Sequence, residues 1–133
     1  MIDVGIDAVE IWSGKLKLDL AETFAPEKGD DPGKYTKGLG LYESSFPDTY
    51  EDIVTMGANA SKRLMERNDL EPDDIGRIDV ATESSFDNSK PISTYIAGCL
   101  EQTFDGDFHH ANKGERKFAC VAGTQAIDDA YNW

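Results

Sequence analysis

One segment constrains this chain more than any other. Ile92, Tyr95, Ile96, Cys99 and Leu100 recur at i, i+3, i+4, i+7 and i+8, which is the apolar stripe of a helix. A short strand-like run, Ile75–Ala81 (IGRIDVA), precedes it, and a second, Arg116–Val121 (RKFACV), follows. The same alternation begins upstream. Val4–Ile11 reads as a first strand, and Lys15–Leu20 alternates Lys, Leu, Lys, Leu, Asp, Leu with period two. Glu27–Gly40 carries Gly29, Pro32, Gly33, Gly38 and Gly40 and reads as a long loop. A helix follows, with Thr49 as its cap, Asp52 three residues on, and Ile53, Met56, Gly57, Ala60 and Leu64 at helical spacing. Asn68 stops it and Pro72 prevents continuation. Thr82–Lys90 and Asp105–Glu115 read as loops. After Cys120 small and apolar residues dominate, from Ala122 to Trp133, and predict a helix packed on several sides. Strand, helix, strand, helix, strand, helix is the order of an α/β fold with a layered sheet.

The sequence has 133 residues, enough for one domain. Trp133 falls inside a helical pattern whereas Met1 reads as a natural start, so the expectation is an N-terminal piece of a larger protein. Asp and Glu number 26 against 13 Lys and Arg, a net charge of −13. That field repels phosphate backbones and argues against nucleic-acid binding. The acids are dispersed from Glu27 to Asp129, not gathered in a tail, and such a surface suits molar salt, where repulsion is screened within about 3 Å. No apolar run approaches a membrane span. Met1-Ile2-Asp3-Val4 lacks a basic leader, and two cysteines make no disulfide scaffold. A cytoplasmic protein is expected.

Two residues sit where chemistry is placed in α/β sheets, beyond the carboxyl ends of strands. Glu83 follows Ile75–Ala81, and is either a general base or a solvated glutamate among Thr82, Ser84, Ser85 and Asp87. Cys120 stands at a strand-to-helix junction, where a helix dipole favours a thiolate and small neighbours leave a substrate room; a buried structural cysteine is the other reading. Cys99 lies on its own helix's apolar stripe and reads as core. His109 and His110 have no compact ligand set around them, so no metal site is expected. Gly33–Gly40 matches no nucleotide-loop pattern, although Lys34 and Lys37 offer local positive charge to a ligand's phosphate.

These segments together resemble the hydroxymethylglutaryl-CoA synthase family. Asp31-Pro32-Gly33-Lys34-Tyr35-Thr36-Lys37-Gly38-Leu39-Gly40 resembles its DAGKYTIGLGQ-type segment. Asp52–Ala60 is similar to the helix that follows in bacterial members. Ala81-Thr82-Glu83-Ser84 is similar to the ATES/GTET motif, and Phe118-Ala119-Cys120-Val121-Ala122-Gly123-Thr124 to the ACYGGT/ACYAAT motif. The resemblance runs in order from Val4 to Trp133. It implies a thiolase-like fold of two βαβαβαββ halves, of which residues 1–133 are most of the first, incomplete without the second.

The resemblance further implies condensation of acetyl-CoA with acetoacetyl-CoA in the mevalonate pathway to isoprenoids, with the CoA thioesters as substrates and no cofactor. Cys120 would carry the acetyl group, Glu83 would take the methyl proton, and Asp31, Pro32 and Lys34 would contact the CoA. Pro32 departs from the family's usual Ala, and Val121 stands where Tyr is usual. The family's catalytic histidine and an oxyanion-hole glycine come from beyond residue 133, so the fragment alone is expected to be inactive. The complete enzyme is expected to be a homodimer or larger assembly. A ketoacyl synthase-like condensing enzyme and a non-catalytic CoA-binding half are the alternatives; the Glu83 motif speaks against the first.

Overall fold

The computed structural model describes residues 4–133; the Met1–Asp3 start lies outside them. The chain divides into two compact units, Ser13–Asp52 and a second built from the residues up to Trp12 together with Ile53–Trp133.

In the smaller unit, β1 (Leu16–Asp19) pairs antiparallel with β2 (Glu43–Phe46), Leu16 opposite Phe46 and Asp19 opposite Glu43. Asp19 ends the strand by turning its carboxylate onto the N–H groups of Ala21 and Glu22, at 3.0 and 2.6 Å, which starts a π-helical turn over Leu20–Phe24. α1 (Ala25–Lys28) continues it, and a second π-helical turn spans Lys34–Leu39. The stretch expected as a long loop is thus partly helical. Gly29 and Gly40, at φ 70° and 68°, close these turns in the left-handed region where glycine carries no Cβ penalty. The glycines mark ends of helical turns here, a distinction their spacing does not make.

The larger unit is a strand–helix–strand crossover with a helix added on each side in sequence. α2 (Ile53–Arg67) begins at Ile53, so Asp52 and not Thr49 precedes it. β3 (Arg77–Ala81), α3 (Ile92–Glu101) and β4 (Asn112–Arg116) follow, and β3 pairs parallel with β4 from Arg77 opposite Asn112 to Ala81 opposite Arg116. β4 starts inside the stretch expected as loop and stops where the last strand was expected to start. Its residues Asn-Lys-Gly-Glu-Arg carry no apolar pattern, because both faces are used through polar contacts. On one face Ile78 and Val80 pack on the core, and Glu115, opposite Val80, accepts the N–H of Ile92 at 2.7 Å. That bond satisfies one of the unpaired donors at the start of α3. On the other face Arg77 pairs with Asp79, and Arg116 pairs with Asp129 of α4 (Ala122–Tyr131) at 2.5 Å.

The core lies between α2, α3 and the sheet: Val54, Met65, Ile92, Ile96, Ala97, Leu100, Phe108 and Ala111. Burying each large side chain contributes about 1.5–3 kcal/mol. Phe108 is wholly enclosed although it sits in a connecting loop, held by its N–H on Glu101 Oε1 at 3.0 Å.

Two further expectations fail. Val4–Ile11 is not a strand; Val4, Ile6, Val9 and Ile11 are exposed and the segment is fixed by Glu10, which pairs with Arg63 and Arg67 of α2 at 3.3 and 2.7 Å. Strand character needs a neighbour to accept its backbone bonds, and none pairs with it among the described residues. α4 forms as expected but buries only Ala122; Ile127, Tyr131 and Trp133 are exposed.

Candidate active site

Because β3 and β4 are parallel, both carboxyl ends reach the same edge. Their pairing continues one step as the N–H of Thr82 donates to Arg116 O at 3.1 Å. Beyond that point each chain turns. Glu83 follows on one side; on the other, Phe118 O accepts the N–H groups of Val121 and Ala122, both at 3.1 Å, and closes a tight turn. Ala119 at its centre has φ 42°, a left-handed conformation that costs a non-glycine residue about 1–2 kcal/mol. The Ala119 N–H donates to Glu83 Oε1 at 2.9 Å. The Glu83 carboxylate is thereby bonded to the residue that precedes Cys120, 36 positions further along the chain.

Cys120 is a free, exposed thiol. It lies two residues before the first helical residue, Ala122, with Val121 at the cap and no side chain bonded to the helix end. Cys99, by contrast, is half-buried at the edge of the core.

The Glu83 loop is tied down by Asp87. Its Oδ1 accepts the N–H groups of Ser89 and Lys90 at 2.8 and 3.0 Å, and its Oδ2 accepts the hydroxyl of Tyr95 on α3 at 2.7 Å. The Lys90 and Ser89 amides, with the Tyr95 hydroxyl, pull the Asp87 carboxyl down to about 2. Lys90 lies over the Tyr95 ring, 3.9 Å from its centre. A pocket of about 280 Å³ opens beside this loop, lined by Asp87, Lys90, Glu115 and Lys117 among others. The sequence marks Asp87 only as a loop neighbour and Ala119 only as a small one; the bonds they make are seen in the structure. Asp87-Asn88-Ser89-Lys90 before Pro91 is a legible side-chain-to-backbone turn pattern, whereas nothing in an alanine announces a positive φ.

In the smaller unit, Asp31 and Pro32 are exposed, and Asp31 Oδ1 accepts the Gly33 N–H at 2.9 Å. Lys34 pairs with Asp30 at 3.1 Å, and the Tyr35 hydroxyl donates to the same carboxylate at 2.5 Å. These two donors hold the Asp30 carboxyl below the usual range, and Asp30 in turn holds the Lys34 ammonium above its own. His109 and His110 are exposed, and among the described residues no group of three or more His, Cys, Asp or Glu could hold a metal. No helix among them is long and apolar enough to cross a membrane.

A strand-end glutamate is bonded to the turn that carries an exposed cysteine, and comparison with known proteins decides the family. The N-terminal hydroxymethylglutaryl-coenzyme A synthase family model matches residues 1–133. The chain belongs to the hydroxymethylglutaryl-CoA synthase family. The hydroxymethylglutaryl-CoA synthase of Haloferax volcanii is 79% identical over 133 residues, which are 100% of this chain and 30% of that protein. The human cytoplasmic hydroxymethylglutaryl-CoA synthase is 38% identical over 98% of the chain and 24% of its own length. The chain thus spans less than a third of these curated relatives. Among solved structures, MvaS in complex with 3-hydroxy-3-methylglutaryl coenzyme A is 32% identical, with a TM-score of 0.85 over 97% of this chain and 29% of that one. A hydroxymethylglutaryl-CoA synthase complexed with CoA is also 32% identical, with a TM-score of 0.78 over 95% of this chain and 30% of that one. The fold is that of these synthases: α/β and thiolase-like.

Proposed function

We propose that the complete protein is a hydroxymethylglutaryl-CoA synthase that condenses acetyl-CoA with acetoacetyl-CoA, and that residues 1–133 are most of the first half of its duplicated fold. The observation that carries this is the 2.9 Å bond from Ala119 N–H to the Glu83 carboxylate, which sets a base beside the residue that precedes an exposed thiol.

The Cys120 thiolate attacks the carbonyl of acetyl-CoA, CoA leaves as its thiol, and the acetyl group is held as a thioester. Glu83 takes a proton from the acetyl methyl. The resulting carbanion attacks the ketone carbon of acetoacetyl-CoA, and a carbon–carbon bond forms as the ketone oxygen takes up a proton. Water then cleaves the thioester to Cys120, releasing hydroxymethylglutaryl-CoA and the free thiol. The backbone N–H of Cys120 helps hold the thioester oxyanion. Asp31, Pro32 and Lys34 contact the CoA portion. No metal or organic cofactor enters this chemistry.

The reading extends to context. The product feeds isoprenoid synthesis in the mevalonate pathway, the protein works in the cytoplasm as a homodimer or larger assembly, and its acidic surface is adapted to high salt. The net charge of −13 and the 79% identity to a Haloferax protein support the salt adaptation. The test is acetylation of the complete protein by acetyl-CoA, read by mass spectrometry. One acetyl group on Cys120, absent in Cys120→Ala, is the expected result; an acetyl group elsewhere, or none, refutes the mechanism.

A further inference from the structure

We propose that Arg116 is a positioning residue, which fixes the helix after Cys120 against the strand end that carries Glu83, for removal of the acetyl methyl proton. This rests on the reading of Glu83 as the base and Cys120 as the nucleophile. Arg116 is the last residue of β4, opposite Ala81 of β3. Its carbonyl accepts the Thr82 N–H at 3.1 Å, a backbone bond one residue before Glu83. Its guanidinium reaches α4: Nε donates to Asp129 Oδ2 at 2.6 Å, and Nη2 lies 2.5 Å from the same oxygen. Nη1 donates to Glu115 O at 3.2 Å, which holds the guanidinium to its own strand. One residue thus ties both sides of the site, the base through its main chain and the nucleophile through its side chain.

Cys120 lies inside the stretch that this ion pair closes, between Arg116 on β4 and Asp129 on α4. Of its own residues α4 buries only Ala122, at its start. Apolar packing therefore pins the helix where it begins and leaves its direction to polar contacts. Asp129 stands two turns further on, about 10 Å along the axis at a rise of about 1.5 Å per residue. A tie that far out restrains tilting about the turn better than a contact at the turn itself. Arg77 does not compete for Asp129, because it is already paired with Asp79; Asp79 first, and Asp129 after it, hold the Arg77 guanidinium above its usual range. At 2.5 Å the Arg116–Asp129 pair is closer than the screening length of about 3 Å in molar salt, so it persists there. Both side chains are partly exposed, and such a pair adds little to folding. Its effect is on the direction of α4, and through it on how Cys120 faces Glu83.

The experiment is a double-mutant cycle in the complete enzyme, with Arg116→Gln, Asp129→Asn and both together. Each single variant removes the pair and keeps the backbone bond to Thr82. Acetylation of Cys120 by acetyl-CoA needs the thiol and not the carboxylate, so it should stay within about threefold of wild type, which also shows that the variants fold. Condensation of the preformed acetyl-enzyme with acetoacetyl-CoA, in a single turnover, needs both groups in register and should fall about tenfold or more, since a misplacement of about 1 Å can cost about 10²-fold. The KM for acetoacetyl-CoA should not move. The double variant should condense no more slowly than either single variant, because the second change has no contact left to break. Single variants that condense like wild type overturn the proposal. So do variants that lose acetylation and condensation equally, or a double variant in which the two losses multiply. A wild-type enzyme that takes no acetyl group on Cys120 is a different failure: it refutes the reading of the site itself, and the role of Arg116 with it.

Discussion

The contact between α2 and α3 allows a calculation that can fail. A Cβ built on Gly57 would lie 2.6 Å from Ile96 Cδ1 and 3.4 Å from Ile96 Cγ1. Ile96 is only 3% exposed, so its terminal methyl has little room to retreat. Gly57→Ala should gain about 1 kcal/mol of helix propensity and lose about 2 kcal/mol to overpacking, a net loss of about 1 kcal/mol. Ile96→Val removes the offending Cδ1 and by itself costs about 1 kcal/mol. If the clash is real, the double variant keeps the helix gain, keeps the lost methyl and has no overpacking, so it should sit within about 0.5 kcal/mol of wild type. The two single losses sum to about 2 kcal/mol, so the coupling should be about 2 kcal/mol in favour of the double variant. Urea unfolding of the complete protein in molar KCl, with all variants showing one shared m-value, measures it. A double variant that merely adds the two losses refutes the packing described for Gly57 and Ile96.

Glu83→Ala in the complete enzyme should leave acetyl labelling of Cys120 largely intact and lower condensation about 10²–10⁴-fold, the range of a positioned general base; labelling blocked as fully as in Cys120→Ala would show that Glu83 serves the thiol or the fold. The Asp87 carboxyl titrates at about 2 against an ordinary 3.8, so its contribution to stability is complete above about pH 4 and disappears as the pH falls toward 2. Tyr95→Phe should raise that titration midpoint, followed by carboxyl NMR; an unmoved midpoint counts against the Tyr95 contact. The melting temperature should rise from dilute buffer to molar KCl, because a charge of −13 repels itself until the screening length falls to about 3 Å. A flat dependence would remove the salt-adaptation argument.

The sequence by itself determined whatever depends on neighbours along the chain. The apolar repeat of Ile92 to Leu100 made α3, the repeat from Ile53 made α2, and Ile78 and Val80 made the buried side of β3. Glu83 and Cys120 were also legible, as chemically apt residues just past strand-like runs and within recognisable motifs. Tertiary structure decided the rest. Val4–Ile11 has strand-like alternation, but alternation supplies a face and not a partner, and the segment ends as irregular chain anchored through Glu10. β4 has no apolar pattern, yet it is a strand because β3 offers its backbone a parallel partner and Glu115 and Arg116 find partners on α3 and α4. The meeting of Glu83 with the Ala119 amide belongs to the same class. It depends on two strand ends reaching one edge and on a positive φ at an alanine, and both follow from pairings between residues far apart in the chain.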